Sequence, residues 1–382
     1  MVGRVSPRPG EVLDGLVASG QEPGAAVAVV RDGLVEVDHA GGTRDDTAPW
    51  TPDTLVMTFS VAKPFAALTL LSAVGEGTLD LDQPVASAWP EYGCRGKQAT
   101  TLLQLLSHQA GLPAFPEEAA RLEYDDRDAL VELLAGAAPV HAPGAGVAEH
   151  ALTYGHLLDE VLRRATGVPL AERFAGIARA AGWDLHLRLE EPDLARVARL
   201  VEPTDDWAAA YLADPRWGPA LGRPAGLLDP EVLNSDHFRR TAFPAVSLHA
   251  NALSLARFYD DVLRPDGYVA GLLGRDLWRA YTSPAASGYD GVIGRDVTWT
   301  LGFQLDDEDG RVDLGMGGAG GCAAWAEPAA GYGAAYLTRG LGGHARADQV
   351  WEAVHAEYTP GSTGNAEGPG LPKQTGPSRT SG

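Results

Sequence analysis

Lysine is scarce in this chain: Lys63, Lys97 and Lys373 are the only three among 382 residues, and arginine carries most of the positive charge. Lys and Arg together number 30 against 51 Asp and Glu, a formal net charge of -21, which opposes binding to a phosphate backbone and excludes nucleic acid as the expected partner. Cysteine is almost absent. Cys94 and Cys322 are too few for a disulfide framework and lack CxxC spacing for zinc, so no metal and no cofactor is expected. No apolar run approaches the roughly 20 residues of a membrane span, and the opening MVGRVSPRPGEVLDGLVASG has no apolar segment of signal-peptide length. The expectation is a cytoplasmic protein with no membrane partner. Neither GxSxG nor HExxH occurs, which removes the α/β-hydrolase elbow and the common metallopeptidase helix. Residues 315–320 match GxGxxG formally, but Pro328 follows and no helical pattern opens there, so a dinucleotide fold is excluded.

What is present suits a globular enzyme. Hydrophobic residues at 45% and a length sufficient for two lobes provide a sizeable core. Ala25 to Val30 and Leu34 to Val37 flank an Asp32-Gly33 turn, a strong hairpin signal. Further strand patterns come late, at Thr298 to Leu305, Arg311 to Leu314, Cys322 to Ala326 and Gly333 to Leu337. Helical periodicity marks Pro64 to Val74, Thr101 to Leu106, Leu152 to Ala165, Ser254 to Leu263 and Ala347 to Tyr358. An α+β fold follows: an antiparallel sheet built from both chain ends and flanked by helices, plus a helical lobe. The expected boundaries are 1–85 with 285–358 for the sheet lobe, 86–284 for the helical lobe, and a Gly- and Pro-rich disordered tail at 359–382. The aromatic stretch from Trp207 to Trp217 reads mainly as core.

Ser60, in Phe-Ser-Val-Ala-Lys-Pro-Phe, stands between the β-prone Leu55 to Phe59 and the almost wholly apolar Pro64 to Val74. One reading is a plain helix cap, since Ser is a favoured N-cap and Pro64 falls in the first turn. The other follows from the spacing: residues three apart share a helix face, so Lys63 places its amine beside the Ser60 hydroxyl. A serine becomes nucleophilic when a neighbouring base takes its proton, and lysine serves when burial favours its neutral form. Arginine could not substitute.

The segments TFSVAKPFAALTLLSAVGEGTLDLDQPV and LLQLLSHQAGLPAF closely resemble class C β-lactamases and their esterase, peptidase and acyltransferase relatives, over roughly residues 20 to 358. The resemblance implies a β-lactamase/transpeptidase-like fold with the active site between sheet and helical lobe. It also implies a proton-shuttling Tyr, located by its distances from a Pro-Gly pair and a later Thr-Gly. Counted from Pro143-Gly144 and to Thr166-Gly167, both spacings select Glu149, with Tyr154 five residues later as the alternative. A cleft carboxylate at 149 would accept a proton or hold Lys63 charged; on a loop it would be merely solvated. His150 and His156 read as structural.

The third family element is a strand with Lys or His, a small residue and Gly, whose following N-H joins that of the nucleophile in an oxyanion hole. Met316, Gly317, Gly318 and Ala319 occupy it here, with the N-H groups of Ser60 and Ala319 as the donors the resemblance implies. Met316 removes the polar group that β-lactamases use near a substrate carboxylate, which argues against true β-lactamase activity. The expected function is acyl transfer from a small ester or amide to an amine, alcohol or water, as an intracellular transacylase or esterase. The alternative is a partly degenerate binding or sensor protein without turnover.

Overall fold

The Asp32-Gly33 turn closes the first hairpin with both residues at positive φ, 52° and 76°, the conformation that matches the twist of paired strands. The computed structural model describes residues 7–202, 206–308 and 310–358; the tail expected at 359–382 lies outside the described residues. The strands are β1 (Gly24–Arg31), β2 (Leu34–Gly42), β3 (Val56–Met57), β4 (Leu185–His186), β5 (His249–Ala250), β6 (Ala286–Asp290), β7 (Arg295–Trp299), β8 (Gln304–Glu308), β9 (Arg311–Gly317), β10 (Ala323–Glu327) and β11 (Tyr332–Thr338). Eight form one sheet in the order β2-β1-β11-β10-β9-β8-β7-β6, while β3, β5 and β4 form a small second sheet. Every pairing in the large sheet is antiparallel, and β1 meets β11 from Ala25 opposite Thr338 to Arg31 opposite Tyr332. The two chain ends therefore complete each other's sheet, as the α+β reading anticipated.

Because β1, β10 and β11 are buried on both faces, they lack the alternation of a half-exposed strand. One face is covered by the helices Pro9–Ala18 and Ala345–Tyr358, where Leu13, Leu16, Trp351 and Val354 pack on Val27, Trp325 and Tyr336. The other carries the helix Ala252–Leu263 and, deeper, the helix Lys63–Gly75, buried at every residue from Lys63 to Ala73. Ala252–Leu263 falls by sequence within 86–284, yet it packs directly on the sheet: a Cβ on Gly333 of β11 would lie 2.2 Å from the Asp260 nitrogen. The helices Leu102–Leu106, Arg127–Gly136, Thr153–Thr166 and Leu170–Ala181 form most of the helical part beside it.

Two sequence expectations change. Thr298 to Leu305, read as one strand, breaks into β7 and β8 around a turn in which Thr300 and Phe303 exchange hydrogen bonds of 2.9 Å. There Gly302, at φ 148°, approaches Ala67 so closely that a Cβ would lie 2.6 Å from that side chain. The β-prone Leu55 to Phe59 yields only the two-residue β3, after which Phe59–Ala62 turns as a 3-10 segment into the buried helix. Among the described residues no helix is long and apolar enough to cross a membrane.

Candidate active site

Ser60 sits in that 3-10 turn directly after Phe59, whose φ of 53° is costly for an aromatic residue. The surroundings hold it there. The Trp207 ring meets Phe59 edge-on at 5.8 Å, and Gly318 and Gly320 leave room for it on the other side, where a Cβ on Gly320 would lie 2.9 Å from the Phe59 ring. A Cβ on Gly318 would lie 2.1 Å from the Thr58 carbonyl oxygen, so only glycine lets the end of the β9 strand pass so near the turn carrying Ser60. The cap reading of Ser60 is thereby corrected. Its side chain caps no backbone N-H, and its hydroxyl instead meets the Lys63 ammonium at 2.6 Å.

Lys63 occupies the first position of the long buried helix and has no exposed surface. Its Nζ also lies 3.0 Å from Oε1 of Glu149, which is equally inaccessible. Burial pulls the Lys63 pKa below its ordinary value, and the Glu149 carboxylate, by charge and hydrogen bond, pulls it back up. The Ser60 hydroxyl, the amine and the carboxylate therefore form a short polar chain inside an apolar core. The alternative at the second motif is excluded from this chain by its partner: the Tyr154 hydroxyl donates to the Leu106 carbonyl at 2.9 Å within the helix packing, and burial raises its pKa.

At the third motif, Met316 and Gly317 pair with Ala324 and Ala323 across the sheet, which leaves Met316 buried and uncharged. The Gly318 N-H is engaged by the Cys322 carbonyl at 2.8 Å. The Ser60 amide lies in the first turn, where a helix offers no internal acceptor. The Ala319 carbonyl accepts the Trp207 indole N-H at 3.0 Å and the Tyr211 hydroxyl at 3.4 Å. Trp207 and Tyr211, read from the sequence as core, are thus fastened to the strand end beside Ser60, and burial with the nearby Glu149 charge raises the Tyr211 pKa. An amphipathic or motif search carries no signal for that role, because the contact joins residues more than 100 positions apart. His150 and His156 are buried, as the structural reading expected. No group of three or more His, Cys, Asp or Glu side chains is arranged for a metal among the described residues.

A family model described as Beta-lactamase matches residues 11–358. The chain is 30% identical over 338 residues to an "Esterase/beta-lactamase LipL" of Mycobacterium tuberculosis, covering 81% of this chain and 75% of that protein. Among solved structures it resembles a penicillin-binding-protein homologue from Caulobacter crescentus, with a TM-score of 0.79 and 32% identity over 92% of this chain and 98% of the other. It also resembles a family VIII carboxylesterase, with a TM-score of 0.77 and 28% identity over 90% and 95% of the two chains.

Proposed function

The chain belongs to the beta-lactamase family, and we propose that it is a serine acyl-enzyme catalyst whose partners are a small ester or amide donor and an amine, alcohol or water acceptor. The observation that carries this reading is the buried sequence Ser60 Oγ, Lys63 Nζ and Glu149 Oε1, spaced at 2.6 and 3.0 Å. Similarity to an esterase and to a carboxylesterase supports hydrolase or acyl-transfer chemistry in general; transfer to an amine is the finer part of the proposal.

The steps follow from the proton positions. Ser60 Oγ attacks the donor carbonyl while its proton passes to Lys63, which burial keeps ready to be neutral. The N-H groups of Ser60 and Ala319 hold the negative oxygen of the tetrahedral intermediate. Lys63 then protonates the leaving alcohol or amine as its bond to the acyl carbon breaks. In the second half the acceptor attacks the acyl-Ser60 ester, its proton goes to the Lys63-Glu149 pair, and the Ser60 oxygen is released and reprotonated. A carboxylate is a weaker base than a phenolate, but Glu149 accepts the hydrogen bond of the Lys63 ammonium and so helps the pair take up the proton that an amine, alcohol or water must lose. With Met316 buried and uncharged where relatives place Lys or His, the donors are those without a carboxylate beside the reacting carbonyl.

The test is a panel of p-nitrophenyl acyl esters supplied with and without a primary amine, together with fluorophosphonate labelling and mass spectrometry. Expected are an adduct on Ser60, loss of at least about a thousandfold in turnover for Ser60→Ala, and amide product when the amine is present. Folded protein without an adduct on Ser60 would sink the proposal and favour a binding role. Ester cleavage without any amide would confine it to hydrolysis.

A further inference from the structure

Glu149 has no regular element to hold it, since residues 148–150 lie in an irregular segment between the isolated bridge at Val147 and the helix Thr153–Thr166. A carboxylate on such a segment would ordinarily wander by more than the tolerance of a 3.0 Å contact. Instead, the amides on either side of it are captured. The Ala148 N-H donates to the His108 carbonyl at 3.0 Å and the His150 N-H donates to His108 Nδ1 at 3.1 Å. Burial raises the pKa of the neighbouring Asp290, and the backbone of Ile293 and Val292, the Trp299 indole and the Glu149 backbone counter it. His108 and Asp290 are both buried completely.

Asp290 ends β6, a strand with no part in the three sequence motifs. Its Oδ1 accepts the N-H groups of Val292 and Ile293 at 2.9 and 3.0 Å, and its Oδ2 accepts the Trp299 indole N-H at 3.3 Å. The Trp299 ring lies 4.2 Å from the His108 ring, so Asp290 and His108 are braced through it. The histidine tautomers follow from the backbone. His150 Nε2 accepts the Leu112 N-H at 3.1 Å, which leaves the His150 proton on Nδ1, directed at His108 Nδ1 at 3.2 Å. Both rings are therefore neutral acceptors for backbone donors, and burial lowers the pKa of each.

We propose that Asp290, braced through Trp299 to His108, is a positioning residue that fixes the backbone of Glu149 so that its carboxylate stays on Lys63. The inference rests on the proton-acceptor role of Glu149 and adds what holds it in place. An isolated parallel bridge between Val147 and Asp290 brings the two segments together two residues before Glu149, and the Asp290 side chain ties that crossing to Trp299 and through its ring to His108. A carboxylate is the group the place requires. Asparagine would keep one acceptor oxygen for Val292 and Ile293 but would turn its NH2 toward the Trp299 indole donor.

The test is a double-mutant cycle of Glu149→Gln and Asp290→Asn, read as kcat and KM on p-nitrophenyl butyrate, with the melting temperature of each variant. Asp290→Asn alone is expected to lower kcat by up to about a hundredfold, the order associated with ångström-scale misplacement, while KM changes little. In the Glu149→Gln background the same change is expected to cost less than about twofold, because there is no carboxylate left to place. An equal penalty in both backgrounds would assign Asp290 a merely structural role and overturn the inference alone. Wild-type turnover in Glu149→Gln would overturn the proton-acceptor reading, and the inference with it. If Asp290→Asn does not fold, His108→Leu replaces it in the same cycle, with the same two outcomes.

Discussion

A lysine amine with no exposed surface loses the hydration that favours its charged form, and at Lys63 that loss is opposed by Glu149 at 3.0 Å. The two effects set where the amine can serve as a base, and their signs make a prediction. A base acts when deprotonated, so activity rises with pH through the Lys63 pKa. Glu149→Gln removes the influence that raises this pKa, so the rising limb of kcat/KM on p-nitrophenyl butyrate is expected to move toward acid even as its height falls. A pH profile of wild type and variant checks this, and a limb that moves toward alkali would contradict it. The pairing of Ser60 with Lys63 was legible from a three-residue spacing, and Glu149 from the distances to Pro143-Gly144 and Thr166-Gly167 that the family resemblance implies. Asp290, Trp207 and Tyr211 were not, since each reaches the site through a contact that no local pattern encodes.

At the scale of elements, the position of Ser60 depends on how tightly the buried helix Lys63–Gly75 and the helix Ala252–Leu263 seat against the sheet. Gly333 sets that spacing for the second helix: a Cβ there would lie 2.2 Å from the Asp260 nitrogen and 2.5 Å from the Ala256 carbonyl oxygen, both backbone atoms that cannot swing aside. Gly333→Ala is expected to lower stability by about 3 kcal/mol, at the upper end for overpacking a well-filled core. Urea unfolding would show it as a lower midpoint with an unchanged slope. An unchanged midpoint would mean that the helix can move off β11 at little cost. Helices with a repeating apolar stripe and the Asp-Gly hairpin were readable beforehand because their signals are local. The Thr300 to Phe303 turn was hidden inside a β-prone run, and the 3-10 turn at Phe59–Ala62 is imposed by glycines from another strand.

Over the whole molecule, pH acts through histidines held neutral in the interior. Burial pushes the pKa values of His150, His156 and His249 down to about 3, whereas the unfolded chain has them near 6.5. Below about 6.5 the unfolded state binds more protons than the native state, so stability present above that pH is lost as pH falls toward 3. Each histidine contributes a slope approaching about 1.4 kcal/mol per pH unit in that window. Glu160, held at about 2 by Arg127, Arg164 and Arg163 against the effect of burial, acts in the same direction at lower pH. The net charge of -21 works the other way, since protonation relieves self-repulsion. At about 0.15 M salt that repulsion is screened beyond roughly 8 Å, so the histidines are expected to dominate. Denaturant midpoints at pH 7 and pH 5 in such salt should fall with acid; a higher midpoint at pH 5 would give the larger role to surface charge.

Spacing paired Ser60 with Lys63, and periodicity drew a sheet from both chain ends, because both depend on backbone geometry common to all chains. Glu149 was singled out by distances that the family resemblance supplies. Tertiary packing settled that Glu149 reaches Lys63 rather than solvent, and that His108 accepts the amides on either side of it. It also decided that Trp207 and Tyr211 fasten on Ala319. Such contacts join side chains far apart in the chain, and they exist because burial leaves each polar group only the partners that packing brings to it.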